Sequence, residues 1–346
     1  MLLVDEGVRR HSRATLTTLS NRPEGVGDLV VAGPNLTIDR TSSLTELRPG
    51  EVLRVQDVAI TPGGKGVNVC RAARALALRA TLLAFTPGYT GSAAAALLDD
   101  EGIDLIAVPC GGELRSTAVL MEPSGRTTVL NEPGPPLAEG DWHGYTRRVV
   151  EQLHSARVLV CSGSVPPGTP DGAYAELQVL ARESGCVGAV DSSGAVLREA
   201  VSAGAGVVVP NLAEAEALLG YSQGREAVEA APDARDRAMA CARDLVASGA
   251  QAAAVTAAAA GAAFAAGGGE VGWVPAPSVS VRNPIGSGDA FTAALAWRLA
   301  AGADLRAGVV YAVAVGSASV ESPIAGGLDV ARAGALAAQV AAAAAP

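Results

Sequence analysis

Hydrophobic positions fall into two alternating patterns from residue 28 onward. Uninterrupted apolar runs, such as DLVVAG (28–33) and RVLVC (157–161), predict strands buried on both faces. Between such runs, apolar residues recur at helical spacing, which predicts helices packed on the strands. The other predicted strands lie at 81–85, 103–108, 186–190, 207–210, 252–256, 262–266 and 271–274, and the predicted helices at 66–80, 91–102, 141–155, 171–184, 195–203, 211–220, 232–248, 288–301, 304–320 and 328–343. This alternation predicts a doubly wound α/β fold, with a mostly parallel sheet and helices on both faces.

Two amphipathic β segments do not fit this central sheet. Residues 47–60 alternate imperfectly, as a half-exposed strand does, and the runs at 117–122 and 126–130 flank Pro-Ser-Gly, a hairpin signal. We expect them to form a small β-sheet lid from about 36–60 and 110–131. Residues 1–27 are polar and contain Pro and Gly, so we expect a poorly ordered extension before one domain at 28–346.

Charge and cysteine content exclude several classes of protein. The net charge of -9 argues against a nucleic-acid partner, which needs a basic surface. The five cysteines are dispersed, which is typical of reduced core cysteines rather than of a disulfide or zinc framework. Charged residues near the start rule out the signal-peptide pattern, and no apolar stretch is long enough for a membrane span. We therefore expect a cytoplasmic protein without a membrane partner.

The stretch TPGGKGVNVC (61–70) contains Lys65, the only lysine among 26 lysines and arginines. Gly63, Gly64 and Gly66 would let the backbone approach a ligand closely, and a compact ammonium suits such a site better than a planar guanidinium. Gly66 and Val67 follow the lysine, so this is not a Walker A loop. A phosphate or sugar hydroxyls are plausible partners, and chance survival of one surface lysine is the alternative.

A second glycine-rich turn, NPIGSGDAFTAALAW (283–297), precedes a predicted helix. The backbone amides of Gly286, Ser287 and Gly288 would converge at the helix N-terminus and form an anion site. Asp289 follows on the first turn. A carboxylate there could accept a proton from a hydroxyl that attacks a bound phosphoryl group, or it could simply be a favourable helix charge.

Two further loops follow predicted strands. In VVVPNLAEAEALLG (207–220), Asn211 and Glu214 fit a helix capping box, and they also fit oxygen ligands that bind Mg²⁺ through water. The pattern does not separate these interpretations. The loop CSGSVPPG (161–168) is a weak signal alone. This loop contains no GxSxG motif, and no nicotinamide fingerprint follows the first strand, so a serine hydrolase and an oxidoreductase have little support.

Together, in this order, the four loops resemble the PfkB (ribokinase-like) carbohydrate kinases from about Asp28 to about Asp329. GGKGVN is similar to the first signature of that family, NPIGSGDAFTAALAW to the second, and PNLAE to its magnesium-associated N-x-x-E motif. The segments most similar to the 1-phosphofructokinase and tagatose-6-phosphate kinase branch are NLTID (35–39), NEPGPPL (131–137), SGSVPPG (162–168) and DSSGAVL (191–197).

The resemblance implies a ribokinase-like fold and a kinase that uses ATP and Mg²⁺ to phosphorylate a ketohexose phosphate. It implies Asp289 as the catalytic base beside an anion hole at Gly286, Ser287 and Gly288, and Arg115 as the ligand of the distal substrate phosphate. The other implied substrate residues are Asp39, Gly63, Gly64, Lys65, Asn68 and Ser164. The implied nucleotide residues are Asn211, Thr256, Gly261, Gly286 and Gly288, and the implied magnesium ligands are Glu214 and Asn211, through water.

The chain departs from the family pattern at four positions. Thr117 stands where the branch usually has asparagine, and Val209 stands where some members have lysine. Ala258 replaces the first glycine of the nucleotide loop, and Pro284 replaces a threonine. Two alternatives therefore stay open: a kinase for an unphosphorylated sugar or nucleoside, and a catalytically weak sugar-phosphate or nucleotide-binding regulator. An amphipathic lid also predicts a homodimer that pairs through the lid sheet.

Overall fold

The computed structural model describes residues 28–221 and 232–344, so the extension expected at 1–27 lies outside the described residues. The strands are β1 (Asp28–Ala32), β2 (Thr37–Ser43), β3 (Asp57–Gly63), β4 (Ala80–Phe85), β5 (Asp104–Val108), β6 (Ser116–Met121), β7 (Thr127–Asn131), β8 (Ala156–Ser162), β9 (Val187–Asp191), β10 (Val207–Val208), β11 (Ala252–Thr256), β12 (Gly261–Ala266) and β13 (Val271–Pro275). The helices are α1 (Lys65–Ala75), α2 (Gly88–Asp100), α3 (Asp141–Leu153), α4 (Ala173–Glu183), α5 (Gly194–Ser202), α6 (Leu212–Leu219), α7 (Ala234–Ala247), α8 (Ser287–Ala300), α9 (Leu305–Ser319) and α10 (Val330–Ala343).

The central sheet has the order β13-β12-β11-β10-β9-β8-β1-β4-β5 within the described residues. All pairs from β11 to β5 are parallel, and β12 and β13 add an antiparallel edge. The strand order reverses direction on either side of β1, which is the arrangement that places ligands at the carboxyl ends of strands. The predicted doubly wound α/β architecture is confirmed.

The core lies on both faces of this sheet, as the uninterrupted apolar strands predict. One face buries Val31 of β1 against apolar residues of α1, α8, α9 and α10. The opposite face buries Val30 against α3, α4, α5 and α7. Alternate residues of one strand thus serve opposite layers, which holds the strand ends in fixed positions. No described helix is long and apolar enough to cross a membrane.

A second sheet of order β3-β2-β6-β7 forms the predicted lid. Strands β2 and β6 pair in parallel, and the β6–β7 hairpin forms around the predicted Pro-Ser-Gly turn. In register, Asp39 of β2 lies beside Thr61 of β3 and Thr117 of β6, and Asn131 lies beside Thr117. Since paired residues share a face, these polar side chains form one polar row of the lid.

The strand expected at 47–60 was mostly wrong. Residues 47–56 contain no strand, and the chain enters β3 only at Asp57, after a turn at residues 49–50 where Gly50 has a φ of 84°. The strand that pairs with β3 is instead β2, whose sequence TIDRTSS is too polar to form an apolar pattern.

The first helix was predicted to reach residue 80 but ends at Ala75. Ala77 takes a left-handed conformation with a φ of 58°, and the amide of Leu78 donates to the carbonyl of Ala73. This is the hydrogen bond of a helix C-terminal cap. Leu78 then packs on the core, so the apolar pattern continues past the end of the helix.

Candidate active site

The loops with predicted chemistry converge where the parallel strands end. Asn35 follows β1, Ser164 follows β8, Asp191 ends β9, Asn211 follows β10 and Thr256 ends β11. The N-termini of α1 and α8 face one another here, because Asn68 of α1 is hydrogen-bonded to a side chain of α8. Groups that are distant in sequence therefore share one site.

Asp289 lies buried on the first turn of α8, with 5% of its surface exposed. The side-chain amide of Asn68 donates to its Oδ2 at 2.8 Å. Burial and the nearby charge of Asp191 together raise the pKa of Asp289 to about 7, although the Lys65 ammonium and the Asn68 hydrogen bond oppose the shift. A carboxyl group with this pKa can exchange a proton near neutral pH.

The turn before Asp289 depends on Gly286, the N-cap of α8. Its φ is 85°, and a Cβ there would lie 2.3 Å from the amide nitrogen of Gly326, so only glycine fits. Ser287 directs its amide to the carbonyl of Pro284 at 3.4 Å. Among the described residues, the amides of Gly288 and Asp289 have no backbone acceptor, so they are available to an anion at the helix N-terminus.

The lone lysine lies in a cluster of acidic side chains. The Nζ of Lys65 is 2.7 Å from Oδ1 of Asp191 and 3.5 Å from Oε1 of Glu214. The hydroxyl of Thr292, one turn after Asp289, donates to the other oxygen of Asp191 at 3.2 Å. Burial alone would lower the pKa of Lys65, but the charges of the surrounding carboxylates outweigh it and raise that pKa well above its usual range.

A cavity of about 730 Å³ lies between the lid and the strand ends. Five predicted substrate residues line it: Gly63, Gly64, Lys65, Arg115 and Ser164. The predicted residues Asp39 and Asn68 do not line it. Asp39 adjoins it, since a Cβ on Gly63, which does line the cavity, would lie 2.1 Å from Oδ2 of Asp39. Asp289 and the turn before it also lie outside the residues that line this cavity.

Buried acceptors without a partner occur around this cavity. Within the described residues, Oδ1 of Asn35, Oδ1 of Asp39 and Oγ of Ser162 have no hydrogen-bond partner. Burial also raises the pKa of Asp39, although Thr117 and Arg115 oppose this shift. Because buried polar atoms are usually satisfied, these three atoms are candidate contacts for ligand hydroxyls.

The guanidinium of Arg115 is held at the cavity wall by carbonyl groups. Its Nη2 and Nε donate to the carbonyl of Asn35 at 3.0 and 3.2 Å, and its Nη1 donates to the carbonyl of Glu132 at 3.3 Å. Neutral carbonyls orient the fork without cancelling its charge. Arg115 can therefore receive an anionic group in the cavity.

The predicted nucleotide residues surround the ends of β10 and β11. Asn211 and Glu214 form the capping box, in which Oδ1 of Asn211 accepts from the amide of Glu214 at 2.8 Å and Oε2 of Glu214 accepts from the amide of Asn211 at 2.9 Å. Thr256 pairs with Asn211 through an isolated bridge. Gly261 has a φ of 135°, and a Cβ there would lie 2.2 Å from the carbonyl oxygen of Val274.

Ala258 occupies the position where the related pattern has glycine, and it keeps the backbone conformation of a glycine. Its φ is 45°, at the start of a single 3₁₀ turn over 258–260. An L-residue is strained in this left-handed region, so the loop shape survives the loss of the glycine at a cost in free energy.

Sequence reasoning missed four residues of this site. Asp191 and Asn35 directly follow or end buried strands, a position that could have singled them out. Thr292 and Arg71 lie on helices and have no such signal. Arg71 donates to Oδ1 of Asn68 at 3.1 Å, to the carbonyl of Pro62 at 2.8 Å and to both carboxylate oxygens of Glu101.

Comparisons with known proteins give matches over most of the chain. Residues 28–332 match the family described as pfkB family carbohydrate kinase. The ATP-dependent 6-phosphofructokinase isozyme 2 of Escherichia coli is 31% identical over 285 residues, which cover 82% of this chain and 89% of that protein. The 1-phosphofructokinase of Rhodobacter capsulatus is 33% identical over 279 residues, 78% of this chain and 83% of that protein.

Among solved structures, phosphofructokinase-2 from Escherichia coli in complex with fructose-6-phosphate aligns with a TM-score of 0.79 at 28% identity, over 91% of this chain and 100% of that one. The family match, the identity and the shared fold confirm the predicted ribokinase-like architecture. The chain therefore belongs to the pfkB family of carbohydrate kinases and is an ATP-dependent sugar kinase.

Proposed function

We propose that this kinase transfers the γ-phosphoryl group of ATP to a hydroxyl group of a ketohexose phosphate, as a 1-phosphofructokinase does. One observation carries the proposal: Asp289 is buried, hydrogen-bonded and raised in pKa to about 7, directly beside free amides at the N-terminus of α8. A base and an anion site next to each other are what phosphoryl transfer to a hydroxyl requires.

In the proposed reaction, Asp289 accepts the proton of the attacking hydroxyl. The amides of Gly288 and its neighbours at the start of α8 bind the transferring phosphoryl group, and the helix dipole stabilises its negative charge. Lys65, whose ammonium contacts Asp191, adds a positive charge to the site. Asn68 holds Oδ2 of Asp289 in place, so that the proton of the hydroxyl is transferred to a fixed carboxylate.

At the other end of the cavity, we assign the distal phosphate of the substrate to Arg115. Its fork suits a terminal phosphate, and its hydrogen bonds to carbonyls leave its charge available. The unpartnered oxygens of Asn35, Asp39 and Ser162 would accept sugar hydroxyls. The wall of the cavity around the sugar would be formed in part by Gly63, Gly64 and Ser164. Relatives named 1-phosphofructokinase and 6-phosphofructokinase support a phosphorylated ketohexose as the substrate.

On the nucleotide side, Thr256, Gly261 and Asn211 would contact ATP. Glu214 could also hold a hydrated Mg²⁺ ion that is bound to ATP. Its carboxylate is partly exposed, and the contact of its Oε1 with Nζ of Lys65 is long, at 3.5 Å. Asn211 is the weaker candidate, since its Oδ1 already accepts the amide of Glu214. When bound, the metal ion would neutralise charge on the ATP phosphates.

We also propose a homodimer that pairs through the lid sheet. Val58, Ile60 and Leu130 are 45–58% exposed. Ile60 and Leu130 belong to the same cross-strand row, on the face opposite to Asp39. Covering this face would bury apolar area. Light scattering of Ile60→Glu and Leu130→Glu tests this: a wild-type dimer and monomeric variants are expected, and a monomeric wild type contradicts it.

We place the enzyme in the cytoplasm, where its five free cysteines would stay reduced.

The deciding experiment is an ADP-release assay across fructose 1-phosphate, fructose 6-phosphate, tagatose 6-phosphate, fructose and ribose. We expect the highest kcat/KM with a ketohexose phosphate. Preference for fructose or ribose would instead identify a kinase for unphosphorylated sugars. Ala258 replaces a glycine of the nucleotide loop, which motivates a binding protein with a regulatory role as the second candidate. Calorimetric binding of a sugar phosphate or nucleotide without ADP formation from any of these sugars would identify such a regulator.

A further inference from the structure

The ammonium of Lys65 bridges two carboxylates from separate elements. Asp191 ends β9 and has 4% of its side chain exposed, and Glu214 lies on the first turn of α6. The distances from Nζ to their oxygens are 2.7 and 3.5 Å. The hydroxyl of Thr292 also donates to Asp191, and the carboxyl group of Asp289 lies close to it and supplies no positive charge. The ammonium is therefore the main compensating charge for a buried carboxylate.

The location of Lys65 in its own helix does not explain its presence. It is the first residue of α1, where the helix dipole disfavours a positive charge. The residue four positions later is Val69, so no ion pair forms along the helix. The ammonium of Lys65 is therefore stabilised by its contacts with Asp191 and Glu214 and not by its own helix.

Two carboxylates at such a position would otherwise suit a divalent cation, which prefers hard oxygen ligands. The ammonium already lies between them and would repel a second cation at short range. Within the described residues, no group of three or more His, Cys, Asp or Glu side chains could hold a metal ion. Because Nζ of Lys65 lies 2.7 and 3.5 Å from oxygens of Asp191 and Glu214, a free divalent ion would have to displace it to bind both carboxylates.

We propose that Lys65 is a built-in cation of the active site, which lies between Asp191 and Glu214, offsets one of their two negative charges and prevents a free divalent metal ion from binding there. A divalent ion then enters only together with nucleotide phosphates, whose negative charge offsets the repulsion from Lys65. This part rests on the proposed position of the ATP phosphates and their metal ion beside Glu214. The exclusion of the free ion does not, because it follows from the ammonium and the two carboxylates alone.

The ammonium also keeps a donor for the reaction. An ammonium has three N–H groups, and two point at Asp191 and Glu214. Lys65 also lines the cavity, with 37% of its side chain exposed. The third N–H is therefore available to an anionic oxygen that enters the site. A metal ion between these two carboxylates would need water molecules as further ligands. The ammonium needs none, because it is covalently part of the protein.

The sequence permits a direct test, because Lys65 is the only lysine. Protein labelled with ¹³C-lysine and carrying no tag lysine gives a single ¹³Cε–Hε correlation. We expect one equivalent of Mn²⁺ alone to leave this signal unchanged, and Mn²⁺ with a non-hydrolysable ATP analogue to broaden it. Broadening by stoichiometric Mn²⁺ without nucleotide, abolished in Glu214→Gln, would overturn the proposal.

Variants supply a second measurement that involves no sugar or turnover. Lys65→Met should gain a Mn²⁺ site in calorimetry, tighter by about tenfold or more than any site of the wild type. Adding Glu214→Gln should remove that site, and Lys65→Arg, which keeps the charge, should not gain it. A folded Lys65→Met protein without improved Mn²⁺ binding would contradict the proposal. If only the measurement with the ATP analogue fails, the proposed position of the ATP-bound metal ion beside Glu214 is wrong and the built-in cation stands.

Discussion

The side-chain amide of Asn68 donates to Oδ2 of Asp289 at 2.8 Å, across 221 positions of sequence. The orientation of that amide is fixed from its other side, because Nη1 of Arg71 donates to Oδ1 of Asn68 at 3.1 Å. Arg71 is itself held by two 2.7 Å hydrogen bonds to Glu101. The NH₂ group of Asn68 must therefore face Asp289, which favours the ionised carboxylate.

Replacing Asp289 by Asn should lower kcat by roughly 10²- to 10⁴-fold, because the variant keeps the shape of the side chain but cannot accept the hydroxyl proton. KM should change little, since the cavity that receives the sugar is not lined by Asp289. Steady-state ADP release measures both constants. Asp100→Asn, an exposed carboxylate on α2, serves as the control. Turnover close to that of the wild type would remove Asp289 as the base.

The pH dependence of kcat should report the ionisation of Asp289. Activity requires the unprotonated base, so kcat should rise with pH through an apparent pKa of about 7. The hydrogen bond from Asn68 lowers that pKa, so Asn68→Ser should move the rise to higher pH. Rate profiles from pH 5 to 9 measure the displacement. A profile that moves to lower pH, or does not move, would contradict the role of this hydrogen bond.

Arg71 is expected to act as a positioning residue. In Arg71→Met the amide of Asn68 can turn its oxygen toward Asp289, which favours the protonated acid. We expect kcat at pH 7 to fall by roughly tenfold or more and the apparent pKa to rise, with a smaller effect on KM. Arg74→Met is the control, because Arg74 is an exposed arginine one turn after Arg71 on α1. A loss of kcat with an unchanged pH profile would indicate a purely structural role.

Ala258→Gly should stabilise the protein. The φ of 45° is strained for alanine but allowed for glycine, and the greater freedom of glycine in the unfolded chain offsets only part of the gain. We expect an increase of about 0.5–1 kcal/mol in the free energy of unfolding. Denaturant unfolding measures it. Ala259→Gly, exposed in the same turn but without a positive φ, should stabilise nothing. Equal effects of both changes would refute the strain.

Arg115→Ala separates a phosphorylated substrate from an unphosphorylated one. If Arg115 binds the distal phosphate, KM for the best ketohexose phosphate should rise by about tenfold or more, because charge-assisted hydrogen bonds are lost. Steady-state kinetics with that sugar phosphate measure the change. Arg54→Ala, an exposed arginine of the lid segment, is the matched control. An unchanged KM would favour the kinase for an unphosphorylated sugar.

The sequence alone determined the alternation of strands and helices, the two glycine-rich turns and the placement of Asp289 on a helix N-terminus. These features are local: periodicity, glycine at turns and residues adjacent in the chain specify them. The same local reasoning failed for the lid strand β2. Its polar residues Thr37 and Asp39 lie in a strand because they contact Thr117 and the site, and no apolar pattern records this.

Only the tertiary structure decided which side chains meet. Sequence placed Lys65 among glycines, but its partners Asp191 and Glu214 follow 126 and 149 residues later. Arg71, Asn68 and Asp289 likewise form a chain of hydrogen bonds between α1 and α8. The physical reason is that a parallel sheet brings the ends of its strands together in an order that local periodicity does not specify. The chemistry of the site depends on that proximity, and the shifted pKa values of Lys65 and Asp289 are its consequence.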